Sequence, residues 1–477
     1  MKKREKGQKT GIVFVADHWR EYTGGIDVFN EKLCEEMAYV VDCSEVSTIC
    51  LIFGTMCTQY RNDYEEKGIY LVSYRTAEDE ILDEAYYKRV RKEVVNAAPC
   101  AKYIWIGHDL QTGEKALKLS EIESEDECAV IFHTDYFSMH SERTDQIERR
   151  EKNDNYENRC DRQKDLVQKV NWSFLVGPVL YDRFNEVKTA QKIIPGLDVN
   201  CRKERLGNYN QIMTSGRFDE NTKSQKKWLE VCSGIGKAID ILANRGINSS
   251  IYQVIVYGFS KDYSKEILEE MREKTVEKIK KETKKHVIVK LDFRYFEKDR
   301  MKYLETLAKS NVFVMSSWQE TFGLVAWEAV EMGIPIVVSE NSGIYKYMKE
   351  ELGYLLRGLC GSFSVVGKDP TQEMGKAISD ILTSDKVKES AEELRKQMLK
   401  RNRWETLAIE IAKTIGIKNV MSADVFNDNA CFEFVYASRK LFLDELKKRV
   451  QSKRIDNRIV FFDGISAENI LNDSVFW

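Results

Sequence analysis

The chain has 477 residues, 43% hydrophobic and 11% aromatic, which suits two or three domains with sizeable cores and is too apolar for a disordered chain. Lys and Arg total 74 against 77 Asp and Glu, and a net charge of -3 argues against nucleic acid as a partner. Proline occurs 5 times where average usage would give roughly two dozen, which excludes proline-rich linkers and collagen-like repeats.

The N-terminal residues Met1–Thr10 are basic but lead into no apolar h-region, so no secretory signal is expected. The longest apolar runs, such as Ile12–Ala16 and Val312–Met315, are strand-length. A spanning helix needs about 20 apolar residues, so no transmembrane segment is expected either. The 11 cysteines include no CxxC pair, which disfavours zinc ribbons and thioredoxin-like chemistry and fits reduced thiols in a cytoplasmic protein.

Short apolar strands then alternate with longer amphipathic segments, the pattern of parallel α/β layers. The first series predicts strands at Gly11–Ala16, Ser47–Phe53, Tyr70–Ser73, Tyr103–Ile106, Cys128–Phe132 and Phe174–Val176. Between the first two, Phe29, Leu33 and Met37 recur every fourth residue and predict a helix over Ile26–Val40. Ser141–Lys169 carries eight acidic and eight basic side chains, a balance that suits either a solvated helix or a loop. A boundary is expected at Pro195–Arg205. The second series follows at Gln211–Thr214, Val254–Tyr257, His286–Val289, Val312–Met315 and Ile336–Val338, with helices at Lys226–Asn244 and Ser264–Lys284. After about Ile415 come an aromatic helix (Phe432–Val450), a basic cluster of Lys447, Lys448, Arg449, Lys453 and Arg454, and a strand-like Arg458–Asp463.

Three stretches and two histidines can carry chemistry. In Ser316–Ser342 a strand ends, a loop carries Glu320, and a helix starts near Gly323. Open parallel sheets bind ligands at the carboxyl ends of their strands, where a diphosphate would meet the amides of Phe322, Gly323, Leu324 and Val325 and the positive helix end. Glu328 lies roughly 7 Å further along the helix, about the separation of a diphosphate from its ribose diol. Glu320 would stand on the opposite side of the phosphates, where a sugar would sit. The plain alternative is a strand–loop–helix with two solvent-exposed glutamates. In Gln211–Lys223 a strand leads to Gly216, Arg217 and, six residues on, Lys223. A guanidinium and an ammonium there would stabilise charge on a departing nucleoside diphosphate. Near the N-terminus, Gly24 and Gly25 let backbone amides approach a ligand closely. His108 and His133 each follow a strand, where a histidine can hydrogen-bond a sugar or receive a proton. Gly361–Lys368 fails as a phosphate loop, having five residues between its glycines and no following Ser/Thr.

The Glu320-x7-Glu328 pair followed by Gly-Ile-Pro, with Gly216-Arg217-x5-Lys223, resembles the retaining GT-B glycosyltransferases of family 4. The Gly24-Gly25 loop, Phe132-His133-Thr134, Val176-Gly177-Pro178, Pro195-Gly196-Leu197-Asp198 and Arg403-Trp404-Glu405 extend the likeness over roughly Gly11 to Ile415. The chain departs from it at Ser316-Ser317 for Pro-Ser, at Tyr257-Gly258-Phe259 for Gly-x-Gly, at Ser224 for Gly, and in lacking a glutamate within Gly343–Lys346.

The resemblance implies two facing Rossmann-like domains: residues 1–200 for the acceptor, 201–400 for the sugar nucleotide, and 401–477 as a crossover helix with a C-terminal extension. It implies no cofactor and no metal. The donor would be a nucleoside-diphosphate sugar, UDP-sugar favoured, and the acceptor a glycan, lipid or protein. His133, Glu320, Arg217 and Lys223 would be catalytic; Gly24, Gly25, Gly216, Phe322–Val325 and Glu328 would bind the donor. A peripheral contact with the inner face of a membrane would run through the C-terminal basic cluster. A sugar-nucleotide epimerase, a glycoside phosphorylase and a non-catalytic sugar-nucleotide-binding protein stay open as alternatives.

Overall fold

The computed structural model describes residues 9–421, except 20–23, 55–60, 77–80, 139–147, 199–209, 219–223, 248–250, 260, 262, 283–287, 296–299, 316, 318–319 and 366–368. The expected C-terminal aromatic helix, basic cluster and last strand, with Lys223, lie outside the described residues.

Two parallel sheets organise the described residues. The first has seven strands: β1 (Thr10–Ala16), β2 (Val46–Ile52), β3 (Ile69–Ser73), β4 (Lys102–His108), β5 (Glu127–Phe132), β6 (Trp172–Val176) and β7 (Ala190–Ile193), in the order β3-β2-β1-β4-β5-β6-β7. The second has six: β8 (Asn210–Phe218), β9 (Ile251–Phe259), β10 (Ile288–Tyr295), β11 (Val312–Val314), β12 (Ile336–Ser339) and β13 (Gly361–Phe363), in the order β10-β9-β8-β11-β12-β13. Both run outward from a first strand and then reverse, the doubly wound order. Each therefore has a switch point, between β1 and β4 in one sheet and between β8 and β11 in the other. Central strands such as Ile12–Ala16 are covered on both faces, which is why they read as unbroken apolar runs.

The helices used below are α1 (Gly25–Val40), α2 (Arg61–Glu66), α3 (Glu84–Ala97), α4 (Asp109–Ser120), α5 (Glu148–Lys169), α6 (Pro178–Phe184), α7 (Ser224–Asn244), α8 (Lys265–Glu282), α9 (Arg300–Ala308), α10 (Leu324–Glu331), α11 (Gly343–Leu352), α12 (Pro370–Thr383), α13 (Asp385–Arg401) and α14 (Trp404–Thr414). Phe29, Leu33 and Met37 of α1 are buried, as their spacing predicts. One core runs from the first sheet through α1 and α14 to Phe322, Trp327 and the inner face of the second sheet; two further cores fill the outer faces. The chain crosses between sheets twice, side by side. The Leu197 N–H donates to the Asn402 carbonyl at 3.0 Å, and Trp404 of α14 packs edge-on against Phe29 at 5.0 Å. The last helix thus returns to the first sheet.

Several expected bounds move. β8 does not stop at Thr214 but continues past a bulge to pair Phe218 with Phe259, so Gly216 and Arg217 lie within the strand. Of the expected strand His286–Val289, residues 288–289 open β10, which runs on to Tyr295 in register with β9, while 286–287 lie outside the described residues. β7 and β13 carry no apolar run because they are edge strands with little to bury, and Gly361–Phe363 being a strand agrees with its failure as a phosphate loop. Residues 148–169 of the charged stretch are helical, and from Asn158 on its charged side chains are exposed, as a solvated helix requires.

Candidate active site

The carboxyl ends of the two sheets face each other. On the first wall stand Gly24 and Gly25 after β1, His108 at the end of β4, and His133 after β5. On the second stand Gly216 in β8 and the Glu320–Val325 loop and helix start after β11. Contacts across the gap are close: a Cβ on Gly25 would fall 2.7 Å from Leu324 Cδ1, and one on Gly177 would fall 2.7 Å from Phe322 Cδ2. Gly177 also has φ +84, a left-handed conformation that favours glycine. The Asp135 N–H donates to Thr321 Oγ1 at 3.0 Å. His133 and Glu320 therefore sit two residues and one residue, respectively, from a hydrogen bond that joins the walls.

Both histidines are buried and linked. His108 Nε2 donates to the Asn30 amide oxygen at 2.8 Å, which leaves Nδ1 of a neutral ring to accept from His133 Nε2 at 2.9 Å. His133 Nδ1 ends the chain, buried and with no partner among the described residues. Burial pushes His108 down to about 3, and burial followed by the neighbouring His108 holds His133 well below the usual histidine range. Neither ring is charged near neutrality. The loop is fixed by Asp109, whose carboxylate accepts from the His133 N–H (2.8 Å), the Thr134 N–H (3.2 Å) and the Thr134 hydroxyl (2.9 Å). Asp109 is the one non-glycine with positive φ among the described residues, at φ 45, and burial raises its carboxyl to about 6 against those hydrogen bonds.

On the second wall, Gly323 caps α10 with φ 109, and its carbonyl accepts from Ala326 and Trp327. The Leu324 and Val325 amides therefore have no acceptor within the helix. Phe322 contributes only backbone, since its ring is buried against Trp327 at 5.5 Å and Tyr347 at 6.3 Å. The loop is pinned from behind by α11. The Gly343 N–H donates to the Glu320 carbonyl at 2.9 Å, and Ile344 donates to Phe322 at 2.7 Å. Glu328 is not a solvated glutamate. Its side chain is 18% exposed and paired with Arg300 at 2.9 Å, so the reading as two exposed glutamates fails for this residue. Gly216 meets Gly258 so closely that a Cβ on Gly258 would fall 1.8 Å from its carbonyl oxygen. With φ 119 and that contact, Gly258 has no room for a side chain. The side chain of Arg217, like Lys223, lies outside the described residues.

A family profile described as "Family 4 Glycosyltransferase in conflict systems" matches residues 13–411. The chain belongs to this family. Among solved structures, the glycosyltransferase fold is shared with a sucrose-phosphate synthase from Thermosynechococcus elongatus (14% identity, TM-score 0.58, 85% of this chain and 98% of that one). It is also shared with Anabaena Alr3699/HepE in complex with UDP and glucose (14%, 0.56, 85% and 98%). A third is WaaG, a glycosyltransferase involved in lipopolysaccharide biosynthesis (12%, 0.54, 85% and 99%). No curated protein sequence matches the chain. Among the described residues, no helix is long and apolar enough to cross a membrane.

The cleft also holds residues that the sequence did not announce. Arg300 and Tyr303 of α9 reach Glu328, and the Tyr303 hydroxyl lies 3.5 Å from Ser215 Oγ. Asn30, Asp109 and Asp135 hold the histidine wall. The Asp135 carboxylate is fully buried and paired with Arg183 Nε at 2.9 Å. An Arg in a charge-rich stretch and an Asn inside an amphipathic helix have no distinctive spacing, so only the Asp of His108-Asp109 and His133-Thr134-Asp135 stood near a recognised motif.

Proposed function

We propose that this family 4 glycosyltransferase moves a hexose-type sugar from a nucleoside-diphosphate sugar to a hydroxyl of a glycan, lipid or protein, retaining the anomeric configuration. One observation carries the reading: two switch-point crevices face each other across the Asp135–Thr321 hydrogen bond, with a buried histidine on one wall and a helix N-terminus on the other. The diphosphate would lie at the Leu324 and Val325 amides, its ribose on Glu328, and its developing charge against Arg217 and Lys223. Those cations and amides would take the part of a metal ion. Glu320 would accept from hydroxyls of the transferred sugar, and a sugar hydroxyl would satisfy the unpartnered Nδ1 of His133. A ring held neutral by burial suits that hydrogen bond better than uptake of the acceptor's proton, which the donor's own phosphate would receive. The UDP in the HepE structure makes a uridine nucleotide the first donor to test. The reading also includes a cytoplasmic location and a peripheral lipid contact through the C-terminal basic cluster, whose vesicle binding would weaken steeply with salt.

The test is a thermal-shift titration with the four common nucleoside diphosphates and their sugar conjugates, followed by NMR of the product's anomeric carbon. A ligand that binds only the folded state raises the melting temperature. A shift with one base and a product of unchanged configuration would support the reading. No shift with any nucleotide would overturn it.

A further inference from the structure

The Glu328 carboxylate is held by two residues of another helix. Arg300, the first residue of α9, sets a guanidinium nitrogen 2.9 Å from Oε1, and both side chains are 18% exposed. One turn on, Tyr303 gives Glu328 a second hydrogen bond and also lies 3.5 Å from Ser215 Oγ. The Tyr303 ring is itself braced edge-on by Tyr257 of β9, centroids 5.0 Å apart. An arginine in the first turn of a helix stands at the positive end of the dipole, the less favourable end for a cation. Its partner on α10 outweighs that preference. An ionised carboxylate offers about four lone-pair sites. Arg300 and Tyr303 occupy two and leave two, the number needed by the 2′ and 3′ hydroxyls of one ribose.

We propose that Arg300 is a positioning residue for ribose: it anchors Glu328 in one orientation, so that the carboxylate's remaining lone pairs meet a ribose diol. The inference rests on the reading of this cleft as a nucleoside-diphosphate site. Burial drives the Glu328 carboxyl upward and Arg300 opposes it, so losing the arginine raises that value further.

The test uses the full chain and calorimetric titration with the four ribonucleoside diphosphates and their 2′-deoxy counterparts, from pH 6 to pH 9. Wild type is expected to prefer one ribonucleotide over its deoxy form by a factor that changes little across that range. Arg300→Gln should bind that ribonucleotide at least tenfold more weakly, lose the preference over the deoxy form, and recover affinity as pH rises and Glu328 ionises. Arg300→Lys, which keeps the charge, should restore the flat profile and part of the affinity. Tyr303→Phe should weaken the preference less and serves if Arg300→Gln does not fold. A folded Arg300→Gln with wild-type affinity, preference and pH profile would overturn the inference while leaving the site reading intact. Wild type that binds none of the diphosphates would overturn the site reading itself, and this inference with it.

Discussion

The two walls of the cleft are stabilised in opposite ways. On the first, Asn30, His108 and His133 form a buried chain of neutral groups whose rings burial keeps uncharged. On the second, Glu328 keeps a counter-ion in Arg300 at 2.9 Å, and the free amides of α10 add a positive end. A neutral chain orients hydrogen bonds without attracting ions, which suits sugar hydroxyls. Paired charges and helix amides suit a ligand that gains negative charge as its bond breaks. The difference follows from burial: it keeps the histidine chain uncharged, whereas buried carboxylates are compensated, Glu328 by Arg300 and, on the first wall, Asp135 by Arg183 and Asp109 by three hydrogen bonds.

The strongest way to break this comparison is on the charged side. Glu320→Ala and Arg217→Ala should each reduce sugar transfer at least about a hundredfold, in proportion to losing a charge-assisted contact in the transition state. Circular dichroism should show both variants folded. Near wild-type turnover in either one would remove that residue from the site.

The neutral side is sharpened by pH. The folded value of His108 is about 3, against 6.5 ordinarily, so between those values the unfolded chain takes up a proton that the folded one refuses. His108 therefore costs no stability above pH 6.5 and destabilises the fold as pH falls towards 3. Asp109, raised from 3.8 to about 6, acts in reverse, since its burial penalty is relieved as pH falls through that window. Between pH 7.5 and 4.5 the melting temperature of His108→Gln should rise relative to that of wild type. Equal slopes would show that His108 is not held neutral.

The smallest effect is expected where the walls meet. Thr321→Val removes the hydroxyl that accepts from the Asp135 N–H, a loss of about 1 kcal/mol. Transfer should fall several-fold, with the donor's melting shift reduced. An unchanged shift would mean that the walls are held together by packing at Gly25–Leu324 and Gly177–Phe322 instead.

Much of this was legible along the chain. Unbroken apolar runs such as Ile12–Ala16 announced strands covered on both faces, and the spacing of Phe29, Leu33 and Met37 announced the buried face of α1. Glu320, Glu328 and the glycine loops stood out because a helix start and a close backbone approach constrain residue type at neighbouring positions. Arg300, Tyr303 and Asn30 did not, since each acts on a partner far away in sequence: Arg300 on Glu328, and Asn30 on His108 across 78 positions. Local spacing alone thus determined the covered strands, the inner helix and the motif-bearing loops, but not the edge strands β7 and β13. Only the tertiary structure decided which charges are neutralised and which polar atoms are left waiting. Burial and counter-ions depend on what a fold brings together, and no residue carries that in its own neighbourhood.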